Sequence, residues 1–157
     1  MSRWMLATAA AYIMLGACQK GESPVAASAV TEAEVNQVFD ATIAAWASMD
    51  ADKIKALYGP GVAGFDFAAG PLVGDRATWD KNQEGYAAMK IDSVKVVGKH
   101  IQILDAATFI VTSLTEDTST TMPKSNGLVR CTDVFHRDEQ GKWPIINEHC
   151  SAMPKPA

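Results

Sequence analysis

Residues 131–150, CTDVFHRDEQGKWPIINEHC, decide how the second half of this chain folds. Two runs rich in β-branched and aromatic residues flank the segment DEQGK (138–142), whose glycine suits a tight connection. Pro144 stands at the start of the second run, where a missing backbone N–H is tolerated in a strand. The segment predicts an antiparallel hairpin that places Asp138 opposite Trp143 and Cys131 opposite Cys150.

This register divides the hairpin into two faces, because successive strand residues point to opposite sides. Opposite Cβ atoms lie about 4.5–5.5 Å apart, so Asp133 and Glu148 should meet, and one of their pKa values should rise. A raised pKa suits either an acid that donates a hydrogen bond or a pocket for a cationic ligand. Arg130 or Arg137 could instead neutralise the pair, and a one-residue slip would separate it. The face with the acids presents Cys131, Asp133, Phe135, Ile146, Glu148 and Cys150, and the opposite face presents Arg130, Thr132, Val134, His136, Ile145, Asn147 and His149.

The same register makes Cys131 and Cys150 direct neighbours across the hairpin. Their Cβ spacing would be compatible with a disulfide. The alternative is two free thiols on the same face as the acids.

The first half of the folded part is helical. Thr31 with Glu34 forms a capping-box signature, and apolar residues at helical spacing predict a helix over 32–48. Asp50 resembles the N-cap of a short helix, ADKIKALY, ended by Gly-Pro-Gly, and VAGFDF (62–67) is typical of a short strand. Asp75 caps a third helix over 76–87. Four strands follow, so the order predicts an α+β fold with helices on one face of a curved, mostly antiparallel sheet.

The N-terminus has a separate character. Residues 1–17 combine one basic residue with a short apolar run, which is typical of a signal peptide and too short for a membrane span. Leu15-Gly16-Ala17-Cys18 resembles the bacterial lipobox, which implies cleavage before Cys18 and lipidation of its sulfur. Residues 18–30 then predict a flexible tether. Gln19 after the cysteine implies, in a Gram-negative host, an outer-membrane lipoprotein facing the periplasm, where cysteine pairs can persist.

Composition excludes several classes of function. The 157 residues contain 14 Lys and Arg against 18 Asp and Glu, without a basic run, so we expect no nucleic-acid partner. The chain has no HExxH, CxxC or GxSxG motif and no Gly-rich phosphate loop, and its three histidines lie on different predicted strands. We therefore expect neither a metal nor a cofactor.

Three stretches resemble the nuclear transport factor 2-like superfamily, in particular its SnoaL-like and ketosteroid-isomerase-like domains. They are DADKIKALYGPGVAGFDF (50–67), GPLVGDRATWD (70–80) and VFHRDEQGKWPIINEHCS (134–151). The resemblance covers residues 31–152, with a tail at 153–157. It implies a cone of three helices closing over a bent sheet around an apolar pocket, and often a homodimer through the outer sheet face.

The resemblance also implies roles for individual residues. Asp66 aligns with the base that moves a proton at carbon, and Asp133 aligns with the acid that holds the enolate oxygen. Thr42 stands where those isomerases carry a tyrosine, which is a departure. Asp66 could instead cap a loop, and Asp133 could be a satisfied polar residue. The acid-bearing face would then line the pocket, with Thr42, Trp46, Phe135, Ile146 and Glu148 as ligand contacts.

Three functions follow as hypotheses. The first is a binding module that holds a small, largely apolar molecule in an enclosed cavity of roughly 300 Å³ or more. The second is an isomerase, cyclase or dehydratase that works by proton transfer from Asp66, which requires Asp66 and Asp133 to share one cavity. The third is a non-catalytic dimeric scaffold that uses the outer sheet face.

Overall fold

The structure is a computed structural model that describes residues 29–66, 71–123 and 126–153. In chain order its elements are α1 (Glu32–Ala47), α2 (Ala51–Lys55), β1 (Tyr58–Phe65), α3 (Arg76–Ala88), β2 (Ser93–Ile103), β3 (Thr108–Thr118), β4 (Gly127–His136) and β5 (Ile145–Ala152). Three helices and a five-stranded sheet confirm the predicted α+β class. The predicted signal peptide at 1–17, the lipidated Cys18 and most of the tether lie outside the described residues, as do residues 154–157 of the tail.

Each helix begins at the residue that its sequence predicts. The hydroxyl of Thr31 accepts a hydrogen bond from the backbone N–H of Glu34 at 3.2 Å. The carboxylate of Asp50 accepts from the N–H of Lys53 at 3.2 Å, and that of Asp75 accepts from the N–H of Thr78 at 2.8 Å. These side chains satisfy N–H groups that the first helical turn leaves without partners.

The folded part begins slightly earlier than the tether prediction allows. Val30, assigned to the tether, is only 5% exposed and belongs to the main hydrophobic core. The chain is therefore held in place at least one residue before the N-cap of α1.

The short second helix ends earlier than predicted. It stops at Lys55, and Tyr58 already begins β1, which continues through Gly59, Pro60 and Gly61. The backbone N–H of Ile145 donates to the carbonyl of Leu57 at 2.8 Å, so β5 pairs with the chain where the helical prediction continues. Because β1 is an edge strand, the missing N–H of a proline does not break a central ladder. The early strand start places the Tyr58 side chain in the interior, where it is 4% exposed.

The sheet order is β1-β5-β4-β3-β2, with β1 parallel to β5 and the other pairs antiparallel. The predicted register of the last hairpin is confirmed for Cys131 with Cys150 and for Asp133 with Glu148. Beyond Val134 the register shifts, and Phe135 pairs with Ile145.

The shift makes the predicted pocket position of Ile146 wrong. Ile145 is fully buried, whereas Ile146 is 37% exposed. A bulge places an extra residue in one strand, which reverses the inward and outward alternation on its far side.

Glycine is required at position 64, where the backbone of β1 closely approaches that of β5. Its φ is +155°, and a Cβ atom added there would lie 1.8 Å from the carbonyl oxygen of Glu148. The backbone of Gly64 also exchanges two hydrogen bonds with Val73, at 3.0 and 2.9 Å. A side chain at this position would push β1 away from the strand that carries Glu148.

The helices cover one face of the sheet and build the core. The side chains of Phe39 on α1 and Trp79 on α3 are fully buried, and the rings of Phe109 and Phe135 stack at 4.6 Å. None of the helices in the described ranges is long and apolar enough to cross a membrane.

Candidate functional site

A small cavity of about 40 Å³ lies between the helices and the sheet. Its walls contain three aromatic rings, three acids and the two cysteines of the last hairpin. A water molecule occupies about 30 Å³ in the liquid, so side chains fill most of the cone, and the enclosed space is much smaller than the sequence led us to expect. The lining residues are Trp46, Tyr58, Asp66, Gln83, Tyr86, Val94, Thr115, Asp117, Val129, Cys131, Glu148 and Cys150.

A pair of buried acids forms the floor of the site. Asp133 is fully buried and Glu148 is 2% exposed, and they face each other across β4 and β5. No backbone, amide or hydroxyl group in the described part of the chain donates to either carboxylate oxygen of Asp133. A proton on Glu148 is therefore the donor that Asp133 requires.

Burial controls the charge of this pair. Burial raises the pKa of Asp133 to about 7, although its hydrogen bond with Glu148 acts in the opposite direction. Burial, and then the negative charge of Asp133, raise the pKa of Glu148 well above its ordinary value. Two carboxylates in one dry site cannot both ionise cheaply, so the pair retains a proton near neutral pH, on Glu148.

Neither candidate arginine neutralises the pair. Arg130 donates to the hydroxyl of Ser151 at 2.9 Å. Arg137 donates to the carboxylate of Glu34 at 2.6 Å and lies 4.5 Å from the ring centroid of Trp143. Of the alternatives that the sequence left open, the shared proton is the one that the geometry favours.

Tyr58 connects the acid pair to the cavity. Its hydroxyl donates to Glu148 Oε2 at 2.9 Å and accepts from the indole N–H of Trp46 at 3.3 Å. Burial, followed by the charges of Glu148 and Asp133, raises the pKa of Tyr58 well above its usual value, so the phenol remains a donor.

Asp66 lies on the same cavity as Glu148. It is 6% exposed, and its Oδ2 accepts a hydrogen bond from Gln83 Nε2 at 3.0 Å. Its negative charge contributes to the raised pKa of Glu148. Asp66 therefore faces the interior, and a hydrogen-bonding partner orients its carboxylate.

Asp117 is a third acid of the cavity wall. It is 5% exposed, and its Oδ1 has no hydrogen-bond partner among the described residues. Burial raises the pKa of Asp117, partly offset by a hydrogen bond with Thr115. Burial and the charge of Asp117 in turn raise the pKa of Tyr86.

Cys131 and Cys150 form a disulfide, two residues from the acid pair on each strand. The bond joins β4 to β5 and occupies part of the cavity wall. Within the described ranges, the two cysteines and Asp133 are also the one group of three metal-type ligands close together. Sulfurs in a disulfide are not thiolates, so this group cannot bind a metal in the oxidised protein.

Two further predicted pocket residues lie elsewhere. The hydroxyl of Thr42 donates to the carbonyl of Val38 at 3.0 Å within α1, because a threonine in a helix can bond back to the preceding turn. Phe135 stacks on Phe109 and belongs to the core. Trp46 and Glu148 line the cavity.

Sequence reasoning missed Tyr58 and Gln83, which hydrogen-bond to the acids, and also Tyr86, Val94, Thr115, Asp117 and Val129 in the cavity wall. Tyr58 was placed at a helix end, although the Gly-Pro-Gly that follows it cannot continue a helix. Gln83 lies one turn after Trp79 on the buried side of α3, and a polar residue on that face was the available signal.

These features define an α+β cone whose interior carries a hydrogen-bonded set of acids and a tyrosine. The sequence matches the SnoaL-like domain family over residues 35–156, and the chain belongs to that family. Among curated proteins, none shows significant sequence similarity to this chain.

Solved structures agree with this assignment. A candidate calcium/calmodulin-dependent protein kinase II association domain from Xanthomonas campestris superposes with a TM-score of 0.68 at 26% identity, covering 81% of this chain and 91% of that one. A candidate dehydratase of the NTF2-like family from Streptomyces avermitilis gives 0.65 at 20% identity, over 77% and 94%. A candidate ketosteroid isomerase from Parabacteroides distasonis gives 0.63 at 18% identity, over 76% and 86%. The last two similarities establish the NTF2-like fold alone.

Proposed function

We propose that this protein binds a small molecule through the polar groups of the cone cavity. The observation that carries this proposal is the connected set of Tyr58, Glu148 and Asp133, with Asp66 on the same cavity. Buried polar groups are costly unless they are satisfied, and the chain places several in one otherwise apolar location. Such a cluster in a cavity is typical of a binding site.

The size of the cavity limits what enters it. About 40 Å³ accommodates a single small group, so the cavity takes the head of a ligand. The largely apolar remainder of the ligand would lie outside the cavity. The cavity of about 40 Å³ contradicts the predicted enclosed cavity of roughly 300 Å³ or more and counts against a wholly enclosed ligand.

The proposal includes a membrane tether in the periplasm. It rests on the lipobox-like sequence ending at Cys18. The disulfide between Cys131 and Cys150 supports an oxidising compartment. Replacing Cys18 by serine should release the protein from the membrane fraction of its host and abolish incorporation of labelled fatty acid. Retention of both properties in that variant would rule the tether out.

Native mass spectrometry of protein purified from its host tests ligand binding. We expect a co-purifying mass, released on denaturation, that is weaker or absent in a variant with Tyr58 replaced by phenylalanine. The variant with Glu116, an exposed residue of β3, replaced by glutamine is the matched control. A wild-type protein that is free of bound mass, and that responds to no compound in a broad ligand screen, contradicts the proposal.

A proton-transfer enzyme is the second candidate, and one observation favours it. Asp66 and Glu148 line the same cavity, whereas Asp133, the acid that the sequence predicted to share it with Asp66, is not among the lining residues, so Glu148 takes the place of the predicted acid in this candidate. In that case Asp66 would accept a proton from carbon, while Tyr58 and protonated Glu148 donate hydrogen bonds to the substrate oxygen. The similarity to a candidate dehydratase and a candidate ketosteroid isomerase is consistent with this chemistry.

Deuterium exchange tests the enzymatic candidate. Acetone and cyclohexanone in D₂O should exchange their α-hydrogens faster with the wild-type protein than with Asp66→Asn. Equal rates for the two proteins, at the level of buffer alone, would remove these ketones from consideration and leave binding as the function.

We also propose a homodimer through the sheet face opposite the helices. Ile110, Leu114 and Val134 alternate with buried neighbours and therefore point to that face. Sedimentation velocity over a range of concentrations checks it, and a monomer at all of them would refute it.

A further inference from the structure

A second concave site, the outer pocket, lies on the sheet face opposite the helices. It has a volume of about 180 Å³ and is formed by the neighbouring strands β3, β4 and β5. Apart from Cys131, its residues alternate along their strands with buried residues, so their side chains point away from the helices. The outer pocket is therefore separate from the cone cavity. Its lining residues are Thr112, Arg130, Cys131, Thr132, His149 and Ser151.

Two rows across the strands bring polar side chains together in the outer pocket. Thr112 stands opposite Thr132, and Thr132 stands opposite His149. In the next row Arg130 stands opposite Ser151, and its Nε donates to the Ser151 hydroxyl at 2.9 Å. Side chains that are direct neighbours on one sheet face are close enough to contact the same ligand. The outer pocket therefore collects a guanidinium, three hydroxyls and an imidazole.

The positive charge in the outer pocket has no acidic partner. Arg130 forms an ion pair with none of the carboxylates in residues 29–66, 71–123 and 126–153. Asp133 and Glu148 lie on the same two strands, but both are buried on the opposite face of the sheet. Glu116 is exposed, yet it stands opposite Leu128 rather than opposite Arg130. The guanidinium is therefore available to an anion from solution.

The set of donors indicates the kind of anion. A guanidinium presents its N–H groups as a planar fork that matches the oxygens of an oxyanion. Each hydroxyl can donate one hydrogen, and an imidazole donates from at least one ring nitrogen when the other is an acceptor. These groups outnumber the two oxygens of a carboxylate, and they come from three strands. A tetrahedral oxyanion offers four oxygens in different directions and can use more of them.

We propose that the outer pocket binds a tetrahedral oxyanion, either a free sulfate or phosphate ion or the phosphate group of an ester, with Arg130 as its charged partner. The volume of about 180 Å³ is about six times that of a water molecule in the liquid. Five heavy atoms fit in this space together with some of their water. The ring of His149 packs against the ring of Phe65, with centroids 5.2 Å apart, so this donor loses less freedom on binding.

Binding at this site should be weak, because the outer pocket is open to water. Ion pairs that are exposed to solvent contribute little individually, and salt screens them further. We expect a dissociation constant on the order of millimolar. A homodimer that covers this face would cover the outer pocket as well. Arg130 would then require the anion more strongly, because a buried charge without a partner is costly.

Titrations followed by two-dimensional NMR of the ¹⁵N-labelled protein test the inference. Sulfate, inorganic phosphate and glycerol 3-phosphate are the probes, and acetate and chloride are the controls, all at pH 7 and constant ionic strength. We expect saturable shifts of the backbone amide signals of Thr112, Arg130, Thr132 and His149 with the tetrahedral anions. Acetate should bind at least about fivefold more weakly than sulfate. Saturation with glycerol 3-phosphate alone would identify a phosphate ester, rather than the free ion, as the ligand.

Arg130→Gln and Lys95→Gln provide a matched pair of variants. Each removes one positive charge from an exposed residue, and Lys95 lies on β2, outside the outer pocket, opposite the exposed Glu116. Arg130→Gln should weaken sulfate binding by at least about fivefold, whereas Lys95→Gln should leave it unchanged. Far-UV circular dichroism and the NMR signals of the helices check that each variant is folded.

Three results would overturn the inference. The first is the absence of saturable shifts with any tetrahedral anion. The second is an equal response to sulfate, acetate and chloride, because ionic strength alone would then explain the shifts. The third is an equal loss of sulfate binding in the two variants, since net charge rather than the outer pocket would then attract the ion. None of these results affects ligand binding in the cone cavity, which lies on the other face of the sheet.

Discussion

Replacing Asp133 by asparagine should remove much of the pH dependence of stability. Asp133 is fully buried, and its pKa is raised from 3.8 to about 7. Between these two values the folded protein holds a proton that the unfolded chain has already lost. The free energy of unfolding should therefore fall as the pH rises through this window.

The magnitude follows from the two pKa values. The full shift of about 3 pKa units corresponds to about 4 kcal/mol, lost between acidic and mildly alkaline pH. Of this, about 2–3 kcal/mol is lost between pH 5 and pH 8. Glu148 contributes in the same direction, because burial also raises its pKa.

Asparagine has nearly the same shape and cannot ionise. It also removes the negative charge that helps to raise the pKa of Glu148. From pH 5 to pH 8, the free energy of unfolding of Asp133→Asn should therefore rise by about 2–3 kcal/mol relative to that of the wild-type protein. The comparison between two pH values cancels any constant cost of the substitution.

Urea unfolding at pH 5, 6, 7 and 8, followed by tryptophan fluorescence, provides the measurement. Glu116→Gln, an exposed acid on the neighbouring strand, should retain the wild-type slope. A wild-type unfolding free energy that stays constant or increases from pH 5 to pH 8 would refute the reasoning. The reasoning would also be refuted if the unfolding free energy of Asp133→Asn changed with pH as steeply as that of the wild-type protein.

Three further substitutions test separate parts of the structure. Replacing Tyr58 by phenylalanine leaves two buried hydrogen-bonding groups without a partner, and urea unfolding should show a loss of about 1–3 kcal/mol. Gly64→Ala should lower the free energy of unfolding by about 3 kcal/mol or more, because the added Cβ overlaps a backbone oxygen. Gly61→Ala, with open space around it, should lower it much less. Equal losses in the two variants would contradict the close approach at Gly64. Reducing the disulfide between Cys131 and Cys150, 19 residues apart, should lower the free energy of unfolding by about 3 kcal/mol. Urea unfolding with and without a thiol reductant measures this loss. An unchanged unfolding midpoint would argue against a role of the disulfide in stability.

Local patterns predicted most elements of this fold because each depended on neighbouring residues. Thr31, Asp50 and Asp75 cap helices through side chains that reach only two or three residues ahead. The last hairpin followed from its turn and its alternation, including the pairing of Asp133 with Glu148.

The errors occurred where a distant strand intervened. The short helix before Tyr58 was predicted too long because β5, almost ninety positions later in the chain, pairs with the backbone beside it. The bulge that turns Ile146 outward is a property of the paired strands, and neither strand shows it alone. Thr42 has a hydroxyl that could contact a ligand, yet this hydroxyl donates its hydrogen bond to the carbonyl of Val38 within the same helix.

By itself, the sequence determined the α+β class, the helix starts, the hairpin register as far as Val134 and the meeting of two acids, because each depends on residues that are close in the chain or joined by one short turn. Tertiary structure alone decided that Tyr58 and Gln83 join the site, that Asp117 Oδ1 receives no hydrogen bond from the described residues and that the cavity is small. These properties depend on how closely α1, α3 and the sheet pack. Burial in turn sets the charge of a carboxyl group, because a dry environment disfavours its ionised form.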